Sequence, residues 1–160
     1  MDNSLNREEA APVIGPVTPE QMMAAAAIHA ESWQDSHRAV CSPEFLALHT
    51  PQRQKACLEA AIAAGARLYM LTDGRPVGIV SVRGSCIENL YILPAEQNKG
   101  YGSRLLEFAI GQCAGAPTLW VLNTNPGARR LYERRGFRPT GQLVQHGGGL
   151  YEQEFRLDKI

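Results

Sequence analysis

Apolar positions recur along the chain with two periods, and the change from one to the other divides it. From about residue 20 to Trp33 an alanine-rich stretch reads as a helix. Thr18-Pro19-Glu20-Gln21 opens it: threonine caps, proline fits the first helical position, and Gln21 sits where a capping box requires it. Pro43 opens a second, short helical segment. Thr50-Pro51 repeats the start signal, and Gly65 stops the third helix. Before these, Val13-Ile14 begins a short strand. From Arg67 onward the pattern is that of strands. Leu68-Tyr69-Met70-Leu71-Thr72 is apolar, Asp73-Gly74 is a hairpin turn, residues 77–82 return, Gly84 turns again, and residues 87–93 form a third strand ended by Pro94. Beyond a polar, glycine-bearing loop, Leu105, Leu106, Ala109, Ile110 and Cys113 recur at helical spacing. Residues 118–122 read as a buried strand. Asn125-Pro126 starts a helix with Ala128, Leu131 and Tyr132 on one face, and Gly136 ends it. Strands over residues 138–145 and 150–157 flank the Gly147-Gly148-Gly149 turn.

Strand, helices, three antiparallel strands, helix, strand, helix and two strands make a layered α/β (α+β) fold with a parallel crossover in the middle. No repeat or linker interrupts it. The expected organisation is a flexible tail over residues 1–11 and one domain over residues 12–160, which the length of 160 residues allows.

Composition narrows the function classes. Hydrophobic residues make up 44% and charged residues 20%, the balance of a globular core and surface. Sixteen basic and sixteen acidic residues cancel, which argues against nucleic acid as the partner. Cys41, Cys57, Cys86 and Cys113 show no zinc or redox spacing, so reduced, mostly buried thiols and no metal are expected. No apolar export segment precedes the first helix, and the apolar run over residues 22–28 is too short to span a bilayer. A cytoplasmic protein without a membrane partner is the expectation.

The chemistry concentrates in Gln97-Asn98-Lys99-Gly100-Tyr101-Gly102-Ser103, between a strand and an amphipathic helix. A helix start leaves N–H groups unpaired and carries the positive end of the dipole, so it receives anions. Gly100 and Gly102 remove side chains that would hold a phosphate away, and Lys99 adds charge. A dinucleotide loop would need a third glycine, but Leu105 stands three residues after Gly102, and no P-loop is present. A plain surface turn and a pyrophosphate cradle of another kind remain.

The stretch Ile87-Glu-Asn-Leu-Tyr-Ile-Leu-Pro-Ala-Glu-Gln-Asn-Lys-Gly-Tyr-Gly-Ser-Arg-Leu-Leu106 resembles the cofactor strand, Gln/Arg-x-x-Gly-x-Gly loop and following helix of the GCN5-related N-acetyltransferase (GNAT) superfamily. A second block, Asn125-Pro-Gly-Ala-Arg-Arg-Leu-Tyr-Glu-Arg-Arg-Gly-Phe137, is similar to that family's next helix and its Gly-Phe exit. His29-Ala-Glu-Ser-Trp33 is like the first helix of many small bacterial members. The resemblance covers roughly residues 12–158. It implies a mixed, mostly antiparallel sheet with a splayed parallel strand pair and helices on both faces. It also implies acetyl-CoA as cofactor.

On that resemblance, the pantetheine arm pairs with the main chain of Leu90, Tyr91 and Ile92, one of whose N–H groups polarises the thioester carbonyl. Residues Gln97 to Ser103 hold the pyrophosphate. Asn125 either bonds the pantetheine arm or caps the helix before Pro126, two compatible roles. Of the five arginines between residues 129 and 138, Arg129 is chosen for a CoA phosphate, the others lying on a solvated face. Tyr132 either protonates the leaving thiolate or packs in the core beside Leu131. Glu88 is either the base for the incoming ammonium or a solvated edge residue. Glu31, Trp33, His37, His146 and Tyr151 are candidates for the acceptor pocket. The implied activity is direct acetyl transfer to a small-molecule primary amine, by a monomer or homodimer. A protein N-terminus or lysine is the alternative acceptor, and a non-catalytic acyl-CoA-binding module the alternative from another class.

Overall fold

Proline and glycine set the boundaries of the elements. The computed structural model describes residues 11–158, so all of the expected tail but Ala11 lies outside the described residues. Strand β1 (Val13–Pro16) leads through a 3-10 turn (Pro19–Gln21) into α1 (Met22–His37), followed by α2 (Pro43–Ala47) and α3 (Pro51–Ala63). Side chains secure the 3-10 turn before α1 and cap α2 and α3. The N–H of Thr18 donates to Gln21 Oε1 at 3.0 Å, Ser42 Oγ accepts from the N–H of Phe45 at 3.2 Å, and Thr50 Oγ1 accepts from that of Arg53 at 3.2 Å. Helix α1 runs one turn beyond Trp33 to His37, since no glycine or proline intervenes.

Strands β2 (Arg67–Thr72), β3 (Pro76–Arg83) and β4 (Cys86–Ile92) form the antiparallel meander. Helix α4 (Tyr101–Gln112), β5 (Thr118–Leu122), α5 (Pro126–Arg135), β6 (Arg138–Gly147) and β7 (Leu150–Arg156) follow. The seven strands make one sheet in the order β1-β2-β3-β4-β5-β7-β6, antiparallel except between β4 and β5. On one face α1 and α3 pack Ala25, Ala26, Ile28 and Leu58 against Leu68, Met70 and Ile79. On the other, Leu105, Leu106 and Ala109 of α4 and Tyr132 of α5 meet Val80, Val82, Phe137 and Phe155. Burial of one such leucine contributes about 1.5–3 kcal/mol. Gly78 lets α4 approach: a Cβ there would stand 2.5 Å from Ile92 Cδ1 and 2.9 Å from Leu105 Cδ1.

Strand β5 departs from the buried strand expected. Leu119 and Val121 are buried, but Trp120, pointing to the other face, is 36% exposed, because α1 packs over β3 and β4. The thiols also differ from expectation: Cys113 is buried, Cys41 and Cys86 are half-buried, and Cys57 is exposed on α3. Among the described residues, no helix is long and apolar enough to cross a membrane.

Candidate functional site

The middle of β4 leaves the register of its neighbour. Ile79 faces Tyr91 and Ser81 faces Glu88, so β4 spends three steps where β3 spends two. Asn89 takes up the extra residue in the left-handed region, at φ 49°. Its Nδ2 donates to Ser81 Oγ at 3.2 Å, and that hydroxyl donates to the carbonyl of Glu88 at 3.2 Å. The bulge turns β4 away from β5, and the two strands pair only at Cys86 and Thr118. Between them opens a cleft of about 970 Å³. From Cys86 to Ile92 every residue of β4 lines it, and residues 119–122 of β5 face them. Glu88, Leu90, Tyr91 and Ile92 therefore stand where the sequence led us to look. The Ile92 carbonyl already accepts from Ser32 Oγ and from Gln97 Nε2, each at 3.2 Å, so Leu90 offers the freer main chain.

One end of the cleft is the start of α4. Gly100 caps the helix at φ 88°, a conformation that strains any residue with a Cβ. The first intrahelical bond runs from Arg104 N to Gly100 O at 3.2 Å, so the N–H groups of Tyr101, Gly102 and Ser103 precede it. Gln97, Asn98, Gly100, Gly102 and Ser103 line this end. Lys99 and Tyr101 do not. Lys99 Nζ lies 3.1 Å from Glu96 Oε2, and Arg75 grips the same carboxylate with Nε at 2.8 Å and Nη2 at 2.6 Å. The Tyr101 hydroxyl donates to Asp73. These contacts brace the loop against the β2–β3 turn and hold the Glu96 carboxyl below its ordinary range, chiefly through Arg75.

Helix α5 forms the opposite wall. Asn125 Oδ1 caps it by accepting from the N–H of Ala128 at 3.2 Å, and Asn125 also lines the cleft. Tyr132 is 8% exposed and lines the cleft, and its hydroxyl has no hydrogen-bond partner among the described residues. Burial pushes that phenol up to about 12. Arg129 points away: it pairs with Glu133 at 2.7 Å and lies over the Phe155 ring at 5.8 Å. Arg134 lines the cleft instead, without an ion pair among the described residues. Arg134 shares a helix face with Gly127 and Leu131, at spacings of seven and three, and that phase was the signal in the sequence.

On the face that carries α1, the cleft is lined by Ser32, Asp35, Ser36 and His37 of α1, Glu88 of β4, Trp120 of β5 and Glu152 of β7. Of the five acceptor-pocket candidates only His37 is among them. Glu31 is exposed on α1. Trp33 is stacked between His37 and His49, at centroid distances of 4.0 and 3.6 Å. His146 is at the outer edge, 3.6 Å from Glu152. Tyr151 pairs through its main chain with Asn123. Glu152, which the sequence reading missed, follows Tyr151 and so faces the other side of β7. Glu88 lines the cleft with its carboxylate 3.7 Å from Arg83.

Residues 64–139, from the end of α3 to the start of β6, match the family model of the acetyltransferase (GNAT) domain. Over that stretch the chain is similar to the GNAT acetyltransferase domain. A 78-residue stretch is 37% identical to the mycothiol acetyltransferase of Clavibacter michiganensis subsp. michiganensis, and it takes in 46% of this chain and 26% of that protein. The chain thus spans less than a third of the length of the curated relatives it matches. Among solved GNAT structures, the PaiA N-acetyltransferase of Thermoplasma acidophilum in complex with coenzyme A superposes with a TM-score of 0.70 at 15% identity, over 92% of this chain and 100% of that one. The yncA protein of Salmonella typhimurium with its cofactor acetyl-CoA gives 0.68 at 18% identity, over 93% and 94%. The mostly antiparallel sheet with one parted parallel pair is the architecture shared with these GNAT structures.

Proposed function

We propose that this protein transfers the acetyl group of acetyl-CoA to an amine by direct attack within a ternary complex. The observation that carries the reading is the cleft itself. Two parallel strands part at a built bulge, an anion-receptive helix start lies at one end, and an unpaired phenol lies in the wall. That shape suits a thioester on a long arm ending in a pyrophosphate. Gln97, Asn98 and the first N–H groups of α4 would hold the pyrophosphate, joined by Arg134. Leu90 would pair with the pantetheine arm as an added strand does. The amine nitrogen forms a bond to the thioester carbon, the C–S bond breaks, and its electron pair stays on sulfur, where the Tyr132 hydroxyl can donate a hydrogen bond. Holding amine and thioester together supplies most of the gain. The relatives matched by sequence are named mycothiol acetyltransferases, which supports an acceptor smaller than a protein.

The test is free-thiol release from acetyl-CoA over tyramine, putrescine, glucosamine, lysine amide and a peptide with a free N-terminus, alongside a melting curve. At a hundred times its Kd, acetyl-CoA should add about 2.7 kcal/mol of stability, about 5–10 °C for a chain of this size. A thermal shift without thiol release from any amine would leave a binding module. No shift would remove the cofactor assignment.

A further inference from the structure

The geometry points to His37, at the last turn of α1, as the base that removes the proton from the acceptor ammonium. This rests on the acetyl-transfer reading above. An ammonium with a pKa of ~10 has no lone pair, so it must be deprotonated before it can attack. Four titratable groups line the face of the cleft that carries α1, Asp35, His37, Glu88 and Glu152, and Glu152 lies 3.6 Å from His146 Nε2. The Glu88 carboxylate already faces the Arg83 guanidinium at 3.7 Å. His37 is differently placed. Its Nδ1 lies 2.8 Å from the carbonyl of Trp33. A carbonyl oxygen can only accept, so Nδ1 carries the hydrogen, and the lone pair is on Nε2. Nδ1 is also 3.0 Å from Ser36 Oγ, whose own hydroxyl donates to the same carbonyl at 3.1 Å. The imidazole is stacked on Trp33 at 4.0 Å and 15°, which fixes its plane. It is 9% exposed and lines the cleft, and Nε2 has no hydrogen-bond partner among the described residues.

The surrounding charges suit a base that cycles through a cation. Burial lowers the pKa of His37, so the ring is neutral at pH 7; the Trp33 carbonyl and the Glu152 carboxylate oppose that shift and favour the imidazolium once formed. His49, from the segment between α2 and α3, is the cation-forming group that faces His37, and its own pKa is lowered. Asp35, two residues before His37 on α1, is held by Arg38 at 3.3 Å. In the step itself, Nε2 takes a proton from the ammonium, and the N–H electron pair stays on the amine nitrogen. That pair then forms the C–N bond. The second N–H proton, released as the amide forms, goes to the thiolate to give free coenzyme A, and the imidazolium returns its proton to water.

The test is His37→Gln, assayed by thiol release with whichever amine of the panel turns over fastest in the wild type. At pH 7, kcat/KM should fall ~100-fold or more, the usual worth of a positioned base. The deficit should shrink to a few-fold near pH ~10, where the amine loses its proton unaided. Melting temperature and the shift given by acetyl-CoA should hold. A wild-type profile, an equal loss at every pH, or a loss of the pH-dependent kind confined to Glu88→Gln would overturn the assignment. The tautomer gives a second measurement in case His37→Gln folds poorly. Nitrogen NMR of the wild type should show Nδ1 protonated and Nε2 bare at pH 7.5, and the reverse would overturn the proposal. Absence of thiol release by the wild type with every amine is a different failure: it removes acetyl transfer itself, and this base with it.

Discussion

A buried phenol at about 12 is a weak acid beside a coenzyme A thiol, whose pKa resembles the ~8.5 of a cysteine. Full proton transfer from Tyr132 to the thiolate would run uphill by more than three pH units. Its contribution is then a hydrogen bond to developing charge, about 1.5–3 kcal/mol at most. Tyr132→Phe should cost roughly tenfold in turnover, about 1.4 kcal/mol, with melting temperature and acetyl-CoA affinity nearly unchanged. A fall in melting temperature with full turnover in the folded fraction would make Tyr132 a packing residue only. His29 shows the same desolvation acting on stability. Its ring stacks on Tyr91 at 4.8 Å, its Nδ1 is buried without a partner, and burial, aided by His49, holds its pKa at about 4. The unfolded imidazole titrates near ~6.5, so its stabilising share is complete above that value and is lost as pH falls toward 4. His29→Phe should therefore remove about 2 kcal/mol of the stability difference between pH 7 and pH 5, read from urea midpoints at both values. A variant as acid-sensitive as the wild type would place that proton uptake elsewhere. Residue types were legible in the sequence where a motif fixed them, as for Asn125 and Tyr132. Directions were not: Arg129 and Arg134 differ only in helical phase, and it is Arg134 that reaches the cleft.

At the scale of elements, the glycine at the start of α4 can be tested apart from the fold. A Cβ on Gly102 would meet Leu131 Cδ2 at 3.4 Å and Ile92 Cγ1 at 3.9 Å, ordinary contacts. Gly102→Val should fold, yet its methyl groups would cover the first N–H groups of α4. The expected outcome is a variant whose melting temperature no longer responds to acetyl-CoA; an undiminished response would sink the cradle. Element boundaries were largely legible because proline and glycine mark them: β5 and the starts of α2, α3 and α5 fall where the sequence put them. The bulge in β4 was not located by the residues alone. Asparagine, not glycine, carries its positive φ, and the Ser81 hydroxyl that secures it comes from the neighbouring strand. The brace behind the phosphate loop was equally hidden, since Asp73 and Arg75 lie over twenty residues from Tyr101 and Glu96 in sequence.

Across the whole molecule, the lone rung between Cys86 and Thr118 has a consequence for motion. By its strand pairing the sheet divides into two rafts, β1-β2-β3-β4 and β5-β7-β6, joined at a single rung and otherwise held by the side chains packed under α4 and α5. Amides along the gap should exchange with deuterium freely in the empty protein, because opening there breaks no ladder. An acyl-CoA held in the gap as proposed would act as a removable plank, tying both rafts through hydrogen bonds that neither makes to the other. Exchange measured with and without coenzyme A should slow at Leu90 and Val121 and, beyond the reach of the ligand, across β6 and β7 together. Slowing confined to the contact amides would mean that the rafts already move as one. If the distant slowing is found, the stiffness of the sheet varies with cofactor supply, and the protein's resistance to proteolysis within β5-β7-β6 should track the occupancy of its cleft.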